Sequence, residues 1–156
     1  MTVKRKPYHI SDDIRDVMKV AAELDNLYAL LEAVRVFAKK QGVDSKKIHQ
    51  IELAVEEIVV NIIHYAYPPD SPGDIEIHCG FEEEKKLIIE IIDWGIPFDP
   101  LSVPEPDTET DLEDRDIGGL GIFFVRKLMD EVYYRREAGK NVLTLVMYLF
   151  SGKELL

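Results

Sequence analysis

Residues 44–66 read DSKKIHQIELAVEEIVVNIIHYA, and Pro68 follows shortly after them. If successive residues are placed about 100° apart, as in an α-helix, Glu57, Asn61 and His64 cluster on one face. The opposite face is broad and apolar: Ile48, Ile51, Val55, Ile58, Val59 and Ile62. We therefore predict an amphipathic helix that ends before Pro68, with one face for a core and one face that can carry chemistry.

Further elements are predicted on both sides of this helix. Upstream, apolar residues recur every three or four positions over about residues 16–40, which is typical of another helix. Residues 4–10 are predicted to form a short edge strand. Downstream, residues 74–81 alternate between apolar and polar side chains, and residues 87–92 read LIIEII, so both are predicted strands.

The rest of the chain completes the predicted fold. Glycines at the start of residues 118–131 open an apolar helix, and two strand-like runs over residues 132–136 and 142–150 form a final hairpin. Helices and strands in this order predict an α+β fold, a two-layer sandwich with helices on one face of a largely antiparallel, mixed sheet. Residues 1–156 are expected to form a single domain.

The composition excludes several classes of protein. The chain has 156 residues with 19 Lys and Arg against 30 Asp and Glu, and its net charge of −11 would repel a nucleic-acid backbone. Cys79 is the only cysteine, which rules out a disulfide framework and a cysteine-built zinc site. No apolar run approaches the roughly 20 residues that span a bilayer. We therefore expect a cytoplasmic protein that binds neither nucleic acid nor membrane.

The spacing of Glu57 and Asn61 suggests a site for a metal ion and a base. The two residues are four apart, so their side chains lie one turn apart on the same helix face. An amide oxygen suits Mg²⁺, and a carboxylate one turn away can accept a proton from a nucleophile. The alternative is two polar residues on a partly solvated helix face.

Asp93 follows the apolar run of residues 87–92, where a buried carboxylate needs hydrogen-bond donors. Gly95 allows a ligand to approach the backbone, and the carboxylate could accept a hydrogen bond from an exocyclic amino group such as that of adenine. Thr144, in the last predicted strand, could add a hydroxyl group. The alternatives are a turn-initiating aspartate and an ordinary strand threonine.

Gly118, Gly119 and Gly121 crowd the start of a predicted helix. Free N–H groups and the positive end of the helix dipole attract anions such as phosphate there. The segment lacks the lysine of a P-loop and the spacing of a dinucleotide-binding motif. An ordinary glycine-rich helix entry is therefore the alternative.

Three motifs occur in a fixed order along the chain: VEEIVVNIIHYAY, DWGIPFDP and GGLGIFFVRKLMDEV. Together they resemble the N-box, the first glycine box and the second glycine box of the Bergerat-fold (GHKL, HATPase_c) ATPases, a superfamily that includes gyrase, Hsp90, histidine kinases and MutL. The small bacterial anti-sigma factor serine/threonine kinases resemble the chain most closely. The resemblance covers roughly residues 20–150.

The resemblance implies roles for five residues of the first two motifs. Asn61 would be the Mg²⁺ ligand, and Glu57 would be the general base that activates the attacking hydroxyl. Asp93 would accept a hydrogen bond from the adenine amino group. Gly95 and Phe98 would lie beside the base.

The resemblance also implies roles for Thr144, for the glycine motif and for the segment before it. Thr144 would belong to the hydrogen-bond network around the base, and the phosphate-binding residues would be Gly118, Gly119, Leu120 and Gly121. Residues 100–117, a segment rich in acidic residues, would be a mobile lid. Arg115 would contact the γ-phosphate, although better-known family members carry an arginine immediately before the glycines, where this chain has Ile117.

The function implied is that of an ATP-dependent serine kinase that acts as an anti-sigma factor. It would bind a sigma factor and phosphorylate a serine of an anti-anti-sigma (STAS-type) antagonist, with ATP and Mg²⁺ as cofactors. The alternative is a nucleotide-gated regulatory protein that changes partners without transferring phosphate. A sensor histidine kinase and a water-attacking ATPase are disfavoured. The oligomeric state stays open, with a homodimer as one option.

Overall fold

The computed structural model describes residues 15–83, 85–100 and 117–149. The elements, in chain order, are β1 (Arg15–Ala21), a 3-10 turn (Leu24–Asn26), α1 (Leu27–Lys40), α2 (Ser45–Asn61), a π-helical turn (Ile62–Ala66), β2 (Asp74–Glu82), β3 (Lys86–Asp93), α3 (Ile117–Leu128), β4 (Glu131–Glu137) and β5 (Lys140–Tyr148). No helix within these ranges is long and apolar enough to cross a membrane.

The strands form one sheet in the order β1-β2-β3-β5-β4. Each neighbouring pair is antiparallel, so the described sheet contains no parallel pairing of the kind that a mixed sheet would have. The helices share a core with one face of this sheet, to which Ile77, Ile91 and Leu145 contribute. The predicted α+β fold is confirmed.

Helix α2 joins this core to the polar site. Asp44 caps the helix, since its Oδ1 accepts a hydrogen bond of 2.9 Å from the backbone N–H of Lys47. The six apolar residues of the predicted face are all buried: Ile48, Ile51, Val55, Ile58, Val59 and Ile62. Each such side chain contributes roughly 1.5–3 kcal/mol when fully buried, which fixes the rotation of the helix. Glu57 and Asn61 therefore stay on the partly exposed side.

A tight turn sets the register of the last hairpin. Glu137 pairs with Lys140, and the two residues between them, Ala138 and Gly139, have positive φ values of 51° and 78°. Two positive φ values are characteristic of a type I′ turn, which matches the twist of the flanking strands. This register places Asn141 between β4 and β3, directly opposite Asp93 in the β3–β5 pairing.

The N-terminal part of the predicted first helix is instead a strand. Residues 15–21 form β1 at the edge of the sheet, and the helix begins only at Leu27. Val20 fits the spacing of the predicted helix, but Met18 and Val20 also alternate as in a strand, and pairing with β2 decides between the two. The edge strand predicted over residues 4–10 lies outside the described residues.

Candidate nucleotide-binding site

A cavity of about 290 Å³ opens between the end of α2, the turn after β3 and the β4–β5 hairpin. Its lining is Ile58, Asn61, Ile62, Tyr65, Ala66, Ile91, Asp93, Ile96, Phe98, Pro100, Tyr134, Asn141 and Leu143. Most of these side chains are apolar, and a few polar groups converge among them. This combination is typical of pockets for small organic ligands.

Asp93 is the buried carboxylate of this cavity, with only 5% of its surface exposed. Its Oδ1 accepts hydrogen bonds of 2.9 Å from the backbone N–H of Gly95 and 2.9 Å from Nδ2 of Asn141. Burial raises the pKa of Asp93, and the hydrogen bonds from Asn141 and Gly95 and the charge of Arg136 partly offset this rise. Within the described residues both donors reach Oδ1, which leaves Oδ2 to accept from a ligand.

Gly95 allows the turn after β3 to pack against the end of the π-helical turn. A Cβ at this position would lie 2.3 Å from the backbone oxygen of Ala66, which no side chain can tolerate. The same carbonyl accepts a 3.1 Å hydrogen bond from Ile96 N–H, and Arg136 donates a 2.8 Å bond to the carbonyl of Gly95. Gly95 therefore fixes the position of the turn that carries Asp93.

Tyr67 also holds this turn, which the sequence did not reveal. Its hydroxyl accepts a 2.7 Å hydrogen bond from Trp94 N–H and donates a 2.6 Å bond to the carbonyl of Asp74. Gly73 makes room for the ring, since a Cβ there would lie 2.1 Å from a ring carbon of Tyr67. The two strand ends beside the cavity are thereby linked through one side chain.

The mouth of the cavity is aromatic and apolar. Tyr65, Ile96 and Phe98 line it and remain exposed by 60%, 58% and 55%. Tyr65 belongs to the π-helical turn, a rare conformation that is frequent at functional sites. Exposed rings at a pocket mouth offer flat surfaces on which a planar heterocycle can stack. Phe98, expected beside the base from the sequence, lies in this group.

Glu57, Asn61 and Gly121 meet where α2 passes the first turns of α3. A Cβ on Gly121 would lie 2.8 Å from Oε2 of Glu57 and 3.5 Å from Nδ2 of Asn61. The other residues of the glycine motif, Gly118, Gly119 and Leu120, lie in the first turn of α3, which begins at Ile117. The backbone N–H groups of a first helical turn have no partner within the helix and suit an anion.

Arg115 and most of the lid expected over residues 100–117 lie outside the described residues.

Within the described part of the chain, no group of three or more His, Cys, Asp or Glu side chains could hold a metal ion. Asn61 offers an amide oxygen, and Mg²⁺ in nucleotide sites usually combines one or two protein ligands with phosphate oxygens and water.

Thr144, expected from the sequence in the network around the base, lies elsewhere. It pairs with Glu90 and Tyr133 in the sheet and is not among the residues that line the cavity. Asn141, three positions earlier on β5, completes the network around Asp93 instead. Side chains alternate between the two faces of a strand, so an offset of three residues puts Thr144 on the opposite face.

Comparisons with known proteins indicate the family of this chain. Residues 20–147 match the histidine kinase-like ATPase domain family. The serine-protein kinase RsbW of Bacillus subtilis is 29% identical over 129 residues, which cover 80% of this chain and 80% of that protein. The anti-sigma F factor of Clostridium acetobutylicum is 25% identical over 134 residues, which cover 86% of this chain and 92% of that protein.

A solved structure shares the fold. The crystal structure of the RsbU and RsbW domains of Rv1364c from Mycobacterium tuberculosis superimposes with a TM-score of 0.61 and 19% identity. The match covers 86% of this chain and 32% of that chain, so this chain spans about a third of the solved one. Since the family match extends over residues 20–147, the chain belongs to the histidine kinase-like ATPase domain family.

Proposed function

We propose that this chain is an ATP-dependent protein serine kinase that also acts as an anti-sigma factor. It binds a sigma factor and phosphorylates a serine of an anti-anti-sigma antagonist. The observation that carries the proposal is the meeting of Glu57, Asn61 and Gly121 on the partly exposed side of α2, whose continuation lines the cavity around Asp93. The curated relatives named as serine-protein kinase RsbW and anti-sigma F factor support it.

The cavity fits the adenine end of ATP. Asp93 offers an acceptor to an exocyclic amino group, which adenine carries where guanine carries a carbonyl oxygen. The apolar walls exclude water from this hydrogen bond, and Tyr65 and Phe98 are available to stack on the base. The buried carboxylate then recognises the base, since a base without the amino group would leave it unpaired.

The reacting end lies one helical turn beyond the base. When bound, ATP supplies the γ-phosphoryl group, and Mg²⁺ neutralises its charge. Glu57 Oε2 accepts the proton that the serine hydroxyl loses as its oxygen attacks the γ-phosphorus, and the bond from that phosphorus to the β-phosphate oxygen breaks to release ADP. Asn61 would supply the amide ligand to Mg²⁺. The first turn of α3 contributes backbone N–H groups toward the phosphates. Phosphoryl transfer is mainly positioning and charge stabilisation, and these groups provide both.

Incubation with labelled ATP, Mg²⁺ and candidate antagonist proteins tests the proposal. Glu57→Ala should leave the ATP dissociation constant within a few-fold and lower transfer by roughly 10²–10⁴-fold, the usual size of general-base catalysis. Asn61→Ala should weaken both Mg-ATP binding and transfer. Glu56→Ala is the matched control, because it removes the neighbouring carboxylate of the same helix.

The outcomes distinguish a kinase from a nucleotide-gated binding protein that transfers no phosphate. A Glu57→Ala protein that transfers phosphate at the wild-type rate would contradict the role given to this carboxylate. If the wild-type chain binds ATP and a partner yet never phosphorylates a partner that it binds, a nucleotide-gated binding protein is the correct description. Such a protein would need Asp93 and the glycines but not Glu57.

A further inference from the structure

Asn141 has no role in any of the motifs of this chain, yet it is buried at the floor of the cavity with 7% of its surface exposed. We propose that Asn141 is the positioning residue that makes the site select adenine over guanine, because it holds Asp93 as a pure hydrogen-bond acceptor. The inference rests on the proposed function, since it deepens the description of the nucleotide site.

The amide of Asn141 has a hydrogen-bond partner at every position. Nδ2 donates to Oδ1 of Asp93 at 2.9 Å and to the carbonyl of Ile96 at 2.8 Å. Oδ1 accepts from the hydroxyl of Tyr134 at 2.6 Å and from the backbone N–H of Phe98 at 3.4 Å. A flipped amide would set its NH₂ group against two donors and its oxygen against two acceptors. The orientation of this side chain is therefore unique.

This orientation decides which oxygen of Asp93 is free. Asn141 and Gly95 both donate to Oδ1, so a proton on Oδ1 would oppose two N–H groups. Oδ2 is left as the oxygen that meets the ligand. Because the carboxylate is planar and its Oδ1 is fixed by two hydrogen bonds, the position of Oδ2 is fixed too. A protonated or rotated carboxyl group could donate to the carbonyl oxygen of guanine, whereas the fixed carboxylate accepts only from the amino group of adenine.

The position of Asn141 in the sheet makes this arrangement rigid. Asn141, on β5, lies directly opposite Asp93 on β3 and directly opposite Arg136 on β4. Directly opposite residues of antiparallel strands have Cβ atoms about 4.5–5.5 Å apart on the same face. A threonine in this place could donate only one hydrogen bond from its hydroxyl. The second bond, to the carbonyl of Ile96, also ties the apolar mouth of the cavity to Asp93.

Titration of both nucleotides into the full chain, by calorimetry, tests the proposal. Asn141→Ala and Asn141→Thr should weaken ATP binding by about 10- to 100-fold, the size expected for a lost bond to a buried charged group. GTP binding should change less, so the ratio of the two affinities should fall. Asn26→Ala is the matched control. It also removes an amide-to-carbonyl hydrogen bond, 2.9 Å to Ala21, but lies outside the cavity lining.

Asn141→Asp gives a second, independent readout. A carboxyl group at this position can replace the amide donor only while it carries a proton, because two carboxylates this close share one proton. ATP affinity of this variant should therefore fall as pH rises over about pH 5–8, and that of the wild type should not. Among the described residues, the other groups that face Asp93 are Tyr67, Tyr134 and Arg136, and both tyrosine pKa values lie above their ordinary 10.0 because of burial.

If Asn141→Ala does not fold, Tyr134→Phe takes its place. This variant removes the hydroxyl that donates to Oδ1 of Asn141, and Tyr148→Phe is its control, since Tyr148 donates to Glu131 outside the cavity. Tyr134→Phe should lower the ATP-to-GTP preference several-fold.

The results distinguish two failures. If the wild type binds ATP selectively and every folded Asn141 and Tyr134 variant keeps that selectivity and its pH profile, the role given to Asn141 is wrong and the proposed function stands. If the wild type itself does not bind ATP, the proposed function is wrong.

Discussion

Replacing Gly121 by alanine tests the contact between α3 and Glu57, the proposed general base. A Cβ at this position would lie 2.8 Å from Oε2 of Glu57 and 3.5 Å from Nδ2 of Asn61. Ordinary van der Waals contact begins at 3.4 Å, so the carboxylate of Glu57 must move by about 0.6 Å, from 2.8 to 3.4 Å. Asn61 already lies beyond that limit and can stay in place.

In Gly121→Ala, the melting temperature should stay equal or rise, whereas the rate of phosphoryl transfer should fall. The Glu57 carboxylate is the end of a flexible side chain, so its displacement costs little stability. Alanine favours the interior of a helix by about 1 kcal/mol over glycine, so the melting temperature should stay equal or rise. Phosphoryl transfer should fall by roughly 10- to 100-fold, since a misplacement of about 1 Å in a catalytic site can cost 10²-fold.

A double-mutant cycle identifies the group through which Gly121 acts. Transfer to the antagonist and thermal denaturation are measured for Gly121→Ala, Glu57→Ala and the double variant. In the Glu57→Ala background the second change should cost nothing further, because the group that it displaces is absent. A folded Gly121→Ala protein with wild-type transfer refutes the reasoning. A tenfold further loss in the double variant would show that Gly121 acts on something other than Glu57.

Four further predictions concern the turn that carries Asp93 and the expected lid. Asp93→Asn should remove most of the ATP preference in calorimetry, because its Oδ1 takes the two internal donors and its NH₂ group then faces the adenine amino group. Burial raises the pKa of Asp93 above its ordinary 3.8, so the wild type should lose unfolding free energy relative to this variant as pH rises from 3.8 through the raised pKa, which urea titration measures. Gly95→Ala should lower the melting temperature by at least about 2–4 °C, because its Cβ would lie 2.3 Å from a backbone oxygen. Residues 101–117 should gain protection in hydrogen exchange when Mg-ATP binds; unchanged exchange contradicts the lid.

Helix α2 could be predicted because its signals are local. Six apolar residues share a face, Asp44 caps the start, and the prolines after Tyr67 prevent its continuation. The shared helix face of Glu57 and Asn61 follows from the helical period alone. The π-helical turn over residues 62–66 could not be predicted, since the same letters would also continue an α-helix.

The features that escaped prediction depend on neighbouring strands. Residues 15–21 have a spacing that fits either period, and only the pairing with β2 makes them a strand. Thr144 is a hydroxyl residue in an apolar strand, and the sequence does not show on which face of the sheet it lies, because that face follows from the register, which the turn at Gly139 sets. Asn141 lies at the turn end of β5, where an asparagine is ordinary in sequence. Its importance appears only when Asp93 is placed opposite.

The two ends of the site are joined by one continuous segment of backbone. Asn61 is the last residue of α2, and Tyr65 and Ala66 of the π-helical turn line the base cavity four and five residues later. Ala66 in turn binds the backbone N–H of Ile96, so the turn after Asp93 is tied to the same segment. The distance between Asp93, which we propose recognises the base, and the groups proposed to act on phosphate is therefore set by a helix whose apolar face is buried in the core. In the proposed function, this rigid element would align a bound nucleotide with Glu57.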